Sequence, residues 1–221
     1  TLSPLEMEEL FPEMQADPLR AIENDMALLS AARGARIDAY FAFRLGALGK
    51  LVGRATAPMA NADPAPRSQY INDVEQVADM GNLKPETRKT LKSIADLERV
   101  MREANAGNDL ITGEYQSGSG FRGTAAARLG IDISRSVNAV ADVWWTIISA
   151  GAVPGNISEA QLQRYVLDAC DFYVGRDSLA EMDASEPNYR KLVKYSADMN
   201  GKIGDMLYAA GFRERAVKHY E

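Results

Sequence analysis

Apolar residues recur at spacings of three and four through most of the chain, and no stretch shows the alternation of a half-buried strand. The pattern therefore predicts an all-α fold. Its strongest segment is Ser134 to Gly151. Val137, Val140, Ala141, Trp144, Ile147 and Ile148 make one apolar face there, and Ala139, Val143, Thr146 and Ala150 make a second, smaller one. Asn138, Asp142, Trp145 and Ser149 form a narrow polar line. Ser134 is placed to cap the start, and Gly151 with Pro154 to stop the helix. A helix apolar over most of its circumference belongs inside a bundle, so this segment is expected to be an interior rod.

The remaining segments follow from their start and stop signals. Ser3-Pro4-Leu5-Glu6 joins a capping box to a proline in the first turn, opening a short helix that Pro12 interrupts. Asp17-Pro18 opens a longer pattern through Leu19, Ile22, Met26 and Leu29 to Ile37, Phe41, Leu45, Leu48 and Val52, either one helix or two broken near Gly34. Residues 1–57 are read as an N-terminal helical segment, 58–70 as a Pro/Ala-rich linker and 71–221 as the main helical bundle. Within the last, Asn72 and Pro85 are read as helix starts, with Gly81 and Gly107 as stops. Asn105 to Gly123 reads as an irregular Gly-rich loop with room for short extended pieces, followed by a helical Thr124–Leu129. Ser158, Ser178 and Ser185 open the later helices, and an amphipathic turn or two closes at Glu221. The sum is a helical bundle of about seven or eight helices.

Ile203-Gly204, Leu207, Gly211, Ala216 and Tyr220 stand at the relative positions of the large and small signature residues of a tetratricopeptide repeat, which this short stretch resembles. Small residues let two antiparallel helices close tightly, and large ones fill the seam. One repeat length earlier, Ala169, Cys170 and Tyr173 fit the pattern, whereas Asp177, Met182 and Glu186 break it.

Composition narrows the function classes. A net charge of −6 at pH 7 argues against general affinity for nucleic acid, which needs clustered Lys and Arg. The single cysteine, Cys170, excludes an internal disulfide and a multi-cysteine zinc site. The apolar run from Val143 to Val153 is too short to span a bilayer, and no charged-then-apolar leader opens the chain. A cytoplasmic or otherwise intracellular protein is expected, its start at Thr1 consistent with a trimmed N-terminus.

Two stretches carry candidate sites. Gly118-Ser119-Gly120-Phe121-Arg122-Gly123 matches GxGxxG ahead of a helix, so Gly118, Gly120, Arg122 and Gly123 are an anion-binding candidate. The strand and βαβ unit of a dinucleotide fold are missing around it. The other is the basic amphipathic helix 33–54. Arg33, Arg36 and Arg44 fall on one side of it, Phe41 on the apolar side, and Gly46, Gly49 and Gly53 on a small-residue side. These seven residues are the interface candidate, suited to close helix packing or to an anionic membrane surface.

Catalytic chemistry is not indicated. His219 is the only histidine, Cys170 sits on an apolar helix face beside two aspartates, and the acidic pair Glu6/Glu9 lacks the second acidic motif of an all-α pyrophosphohydrolase. No catalytic residue, cofactor or metal is expected. The function expected is that of a non-enzymatic structural, assembly or adaptor protein, oligomeric and acting through helix–helix contacts with itself or a protein partner. Two alternatives stand beside it: an enzyme or small-ligand protein binding an anion or nucleotide at loop 113–124, and membrane-surface association through helix 33–54.

Overall fold

The computed structural model describes residues 2–78, 83–149 and 157–221, and all regular structure among them is helical. In chain order the helices are α1 (Pro4–Leu10), α2 (Pro18–Ala35), α3 (Ala39–Ala55), α4 (Pro64–Val77), α5 (Ile94–Asn105), α6 (Asn108–Gln116), α7 (Thr124–Ser149), α8 (Glu159–Val174), α9 (Leu179–Leu192), α10 (Ala197–Ala209) and α11 (Arg213–Tyr220). These outnumber the seven or eight expected. The extra ones come from segments that sequence periodicity merged or left irregular.

Several boundaries move for identifiable reasons. The chain does break after Gly34, and Asp38 caps the new start by accepting from the Phe41 N–H at 2.9 Å. The stretch 58–70 holds a turn and the first half of α4, which begins at Pro64 rather than Asn72, with proline in its first turn. α6 replaces most of the expected irregular stretch, leaving Ala106, Gly107 and residues 117–123 outside helices. α7 runs unbroken through Gly130 and Ser134, so Ser134 is an interior residue whose hydroxyl donates to the Gly130 carbonyl at 2.6 Å. Pro85 opens no helix: residues 83–92 are neither helix nor strand, and α5 starts at Ile94. Ser185 lies inside α9, and Ser196 caps α10 instead, accepting from the Met199 N–H at 3.1 Å. The stop signals Gly81, Gly151 and Pro154 lie outside the described residues.

The chain divides into two compact units. The first comprises residues 1–23 and 47–154. One part of its core gathers Met59, Tyr70, Ile111 and Ala125, with Tyr115 and Phe121 packed against them. Met59 reaches that place with φ of 64°, a left-handed conformation rare outside glycine, and its N–H donates to Asn108 Oδ1 at 2.9 Å. On α3, Gly49 lies beneath the Trp144 indole: a Cβ there would stand 2.6 Å from Cζ2.

The second unit comprises residues 24–46 and 155–221. Tyr40, Phe41, Tyr165, Tyr173 and Tyr189 are among its fully buried side chains. The Tyr40 ring lies 5.0 Å from that of Tyr165 and 5.4 Å from that of Phe172, and the Tyr189 hydroxyl donates to Asp38 at 2.6 Å. Arg44 and Asp25 form a buried ion pair. Burial pushes the Asp25 carboxyl above the ordinary range, with Arg44 pulling the other way.

The helical hairpins α8–α9 and α10–α11 turn in the same way, 34 residues apart. Asp177 and Gly211 both have left-handed φ, of 53° and 91°. Ser178 N–H donates to the Tyr173 carbonyl at 2.9 Å, as Phe212 does to Leu207 at 2.8 Å, and Met182 to Ser178 at 3.1 Å, as Ala216 does to Phe212 at 3.0 Å. Asp177 and Met182 thus hold the turn that their identities seemed to break: aspartate tolerates the left-handed region, and Met182 is buried like Ala216. Glu186 is only half-buried, and its counterpart Tyr220 closes over Gly204.

Two stability outcomes follow. Gly46→Ala, with nothing within 4 Å of its added Cβ, is expected to stabilise the chain by about 0.5–1 kcal/mol, and Gly49→Ala to fall about 1–3 kcal/mol below it in urea unfolding, with a shift in tryptophan emission. Asp25→Ala, which removes the carboxylate paired with the buried Arg44 guanidinium, is expected to cost about 3–5 kcal/mol, and the double change Asp25→Leu with Arg44→Met markedly less.

Candidate functional site

The anion-binding candidate is already served from within the first unit. The Glu114 carboxylate accepts from the Thr124 N–H at 2.7 and 2.9 Å and approaches that of Ala125 at 3.4 Å, so it sits where an external anion would meet the N-terminus of α7. Those bonds hold the carboxyl below the ordinary glutamate range. The three glycines of the motif have local duties. Gly118 and Gly120 take φ of 80° and 57°, and a Cβ at Gly123 would collide with the Glu114 carboxylate. Arg122 is exposed.

The interface candidates of helix 33–54 separate as well. Within the second unit Phe41 and Arg44 are buried, Arg44 on Asp25, and Arg36 donates to the Ala184 carbonyl. Arg33 is half-buried, and Gly46 has open space above it. Within the first unit Gly49 receives Trp144, and Gly53 lies opposite Val140, 3.7 Å from where its Cβ would be. Two of the arginines meant for a membrane surface are therefore engaged by the chain itself, and two of the glycines meant for close packing receive α7.

The Cys170 thiol is buried and pushed up to about 12 by desolvation, which opposes nucleophilic use. Among the described residues no three His, Cys, Asp or Glu side chains are grouped to hold a metal ion. No helix among them is long and apolar enough to cross a membrane.

What remains, and what the structure brings forward, is α7. Its core-facing side is Leu129, Ala139, Val143, Thr146 and Ile147 rather than the face expected from the sequence. Ile147 is fully buried, but Val137, Trp144, Trp145 and Ile148 are 44, 37, 45 and 48% exposed. The interior-rod expectation is thereby corrected. At about 100° per residue these four side chains share one arc roughly a quarter-turn wide; Trp144, at its edge, lies over Gly49, while Val137, Trp145 and Ile148 face away from the core. The smaller apolar face became the core side because α7 spends its polar flank on a different neighbour.

That neighbour is the non-helical segment 83–92. Four α7 side chains spaced four residues apart accept its main-chain N–H groups in order: Ser134 from Lys84 at 2.8 Å, Asn138 from Glu86 at 3.0 Å, Asp142 from Lys89 at 3.0 Å and Thr146 from Leu91 at 2.9 Å. Asn138 Nδ2 returns a bond to the Lys84 carbonyl at 2.9 Å. Arg88 donates to the Asn138 carbonyl at 3.1 Å and pairs with Asp142 at the same distance. Four residues of helix rise about 6 Å, close to the reach of two extended residues, which fits the steps from Lys84 to Glu86 and from Lys89 to Leu91; the middle step takes three residues, so the segment bends at Thr87-Arg88. Ser134 and Thr146 donate their own protons back to the Gly130 and Asp142 carbonyls, so both hydroxyls face the segment as acceptors. Beside the segment, between it, α5 and α7, lies an open cavity of about 660 Å³ whose rim includes Lys92, Asp96, Arg99, Glu103 and Arg135.

Periodicity alone placed Asn138 and Asp142 on a polar line but assigned Ser134 to a cap and Thr146 to an apolar face. The signal that joins them is a run of hydrogen-bonding side chains at i, i+4, i+8 and i+12 along one helix. Comparison of the chain with protein-family models, with curated proteins and with solved structures gives no match. The reading of function therefore rests on this geometry.

The Glu114 cap has a pH signature. A carboxyl held below its unfolded value stabilises the fold above that value and loses the contribution as pH falls through the folded one. Acid titration of thermal stability is expected to show a loss below about pH 4.5 that Glu114→Gln reduces, the variant being less stable than the wild type at pH 7 and closer to it in acid.

Proposed function

We propose that this chain is a non-enzymatic assembly or adaptor protein that acts through helix–helix contacts and self-associates through the outer arc of α7. The observation that carries the reading is the exposure of Val137, Trp145 and Ile148 together on one side of one helix. Side chains of this size gain about 1.5–3 kcal/mol each in going from full exposure to full burial, and with less than half of each still exposed about half of that remains to be gained. A pair of such arcs offers enough apolar surface to offset the association entropy of a weak dimer. Large apolar side chains scattered singly carry no such meaning; three on one arc of a single helix mark a contact surface. The buried state of Cys170 and the engaged state of the α7 N-terminus support the non-enzymatic side of the reading.

Light scattering or native mass spectrometry at micromolar concentration is expected to report a dimer or larger species. Trp145→Glu with Val137→Glu should return it to monomer while leaving the far-ultraviolet helical signal intact. A wild-type monomer that retains no partner through purification overturns the proposal.

A further inference from the structure

The outer arc is not the only face of α7 built for contact. We propose that its polar stripe is a binding site for a non-helical, arginine-bearing polypeptide segment, which residues 84–91 occupy in cis. This goes beyond self-association through the apolar arc and stands independently of it, because a strictly monomeric chain would still hold the groove.

The stripe recognises main chain. Four acceptors, on Ser134, Asn138, Asp142 and Thr146, take four N–H groups, and Asn138 supplies a donor to a carbonyl as well. The segment's own side chains contribute little: Lys84, Pro85, Glu86, Thr87, Lys89 and Thr90 all point to solvent. Pro85 falls at a position whose amide the stripe does not use, the only kind of position where proline is harmless. Side-chain identity enters chiefly at Arg88, which bridges the Asn138 carbonyl and Asp142. The ligand class follows: a non-helical stretch with free amides at steps of two, three and two residues and one arginine between the second and third.

The acceptors are also prepared in advance. Ser134, Asn138 and Thr146 are buried, and the two hydroxyls are oriented by bonds within α7 itself rather than by the segment. The stripe therefore keeps its acceptor pattern when the segment leaves, and it offers the same hydrogen bonds to a replacement main chain. The segment in turn buries little apolar surface, since every residue of 83–92 except Leu83, Arg88 and Leu91 is exposed. Main-chain hydrogen bonds exchange readily with water, so such a strap opens locally more easily than a packed helix.

The test weakens the cis occupant and offers the same chemistry in trans. Glu86→Pro with Lys89→Pro in the full chain removes two of the four amides. A fluorescein-labelled peptide of residues 83–92 is expected to bind this variant at least tenfold more tightly than the wild type, whose own segment competes. Adding Asn138→Ala to the variant, or proline at the two matching peptide positions, should abolish that gain, and replacing the peptide arginine by alanine should weaken it. A helical variant that binds no peptide, or binds the proline peptide equally, overturns the proposal. If the variant does not fold, hydrogen exchange on the wild type decides. The amides of Lys84, Glu86, Lys89 and Leu91 are expected to exchange at least tenfold faster than those of the α7 core, by local opening. Exchange at the core rate, through global unfolding only, would make the segment a permanent part of the fold and overturn the proposal.

Discussion

A helix cannot hide four hydrogen-bonding side chains against apolar neighbours without losing their hydration, and α7 carries such a row from Ser134 to Thr146. The first unit depends on how that row is satisfied. Main-chain amides of residues 84–91 meet it, and the segment lies outside the helix that Pro85 was expected to open. With one flank given to this segment and another lying against Gly49 and Gly53, the core takes the small-residue side around Ala139 and Val143. The large side chains are left on the outer arc. One polar requirement thus settles both the buried and the exposed faces of the longest helix.

The second unit solves a related problem with aromatic and charged groups. Tyr189 donates to Asp38, Asp38 caps α3, and Tyr173 accepts from the Tyr40 N–H at 3.4 Å, so hydroxyls within the core also organise a helix start. The Asp25–Arg44 pair sits in the same low-dielectric surroundings, where its worth depends on both partners being present. The hairpins α8–α9 and α10–α11 then repeat one turn geometry with different residues, aspartate in one and glycine in the other. Backbone geometry is conserved between these two turns where side-chain identity is not.

A functional reading through contact surfaces follows from what the polar groups do. The glycine-rich loop, a candidate for anions, is occupied by Glu114; the basic face of helix 33–54, a candidate for lipid, is largely occupied by Asp25 and the Ala184 carbonyl. Chemistry that looked available in one dimension is consumed by the fold. α7 is the exception, with one flank presenting apolar rings and the other reading a main chain.

The all-helical class, the capping boxes at Ser3 and Ser158 and the break near Gly34 were legible in the sequence, because each depends on residues within one or two turns of one another. The sequence set small residues on one side of α3, but which of them takes a close neighbour, Gly49 beneath Trp144 and not Gly46, was decided by the tertiary structure. The non-helical course of 83–92 was not legible, since its cause lies about fifty residues away on α7. Nor was the outward turn of Trp145 and Ile148: periodicity marks which residues share a face, but the core is chosen by whichever neighbours satisfy the remaining faces. Local spacing determined where helices form, and long-range hydrogen bonding decided which side of each one is inside.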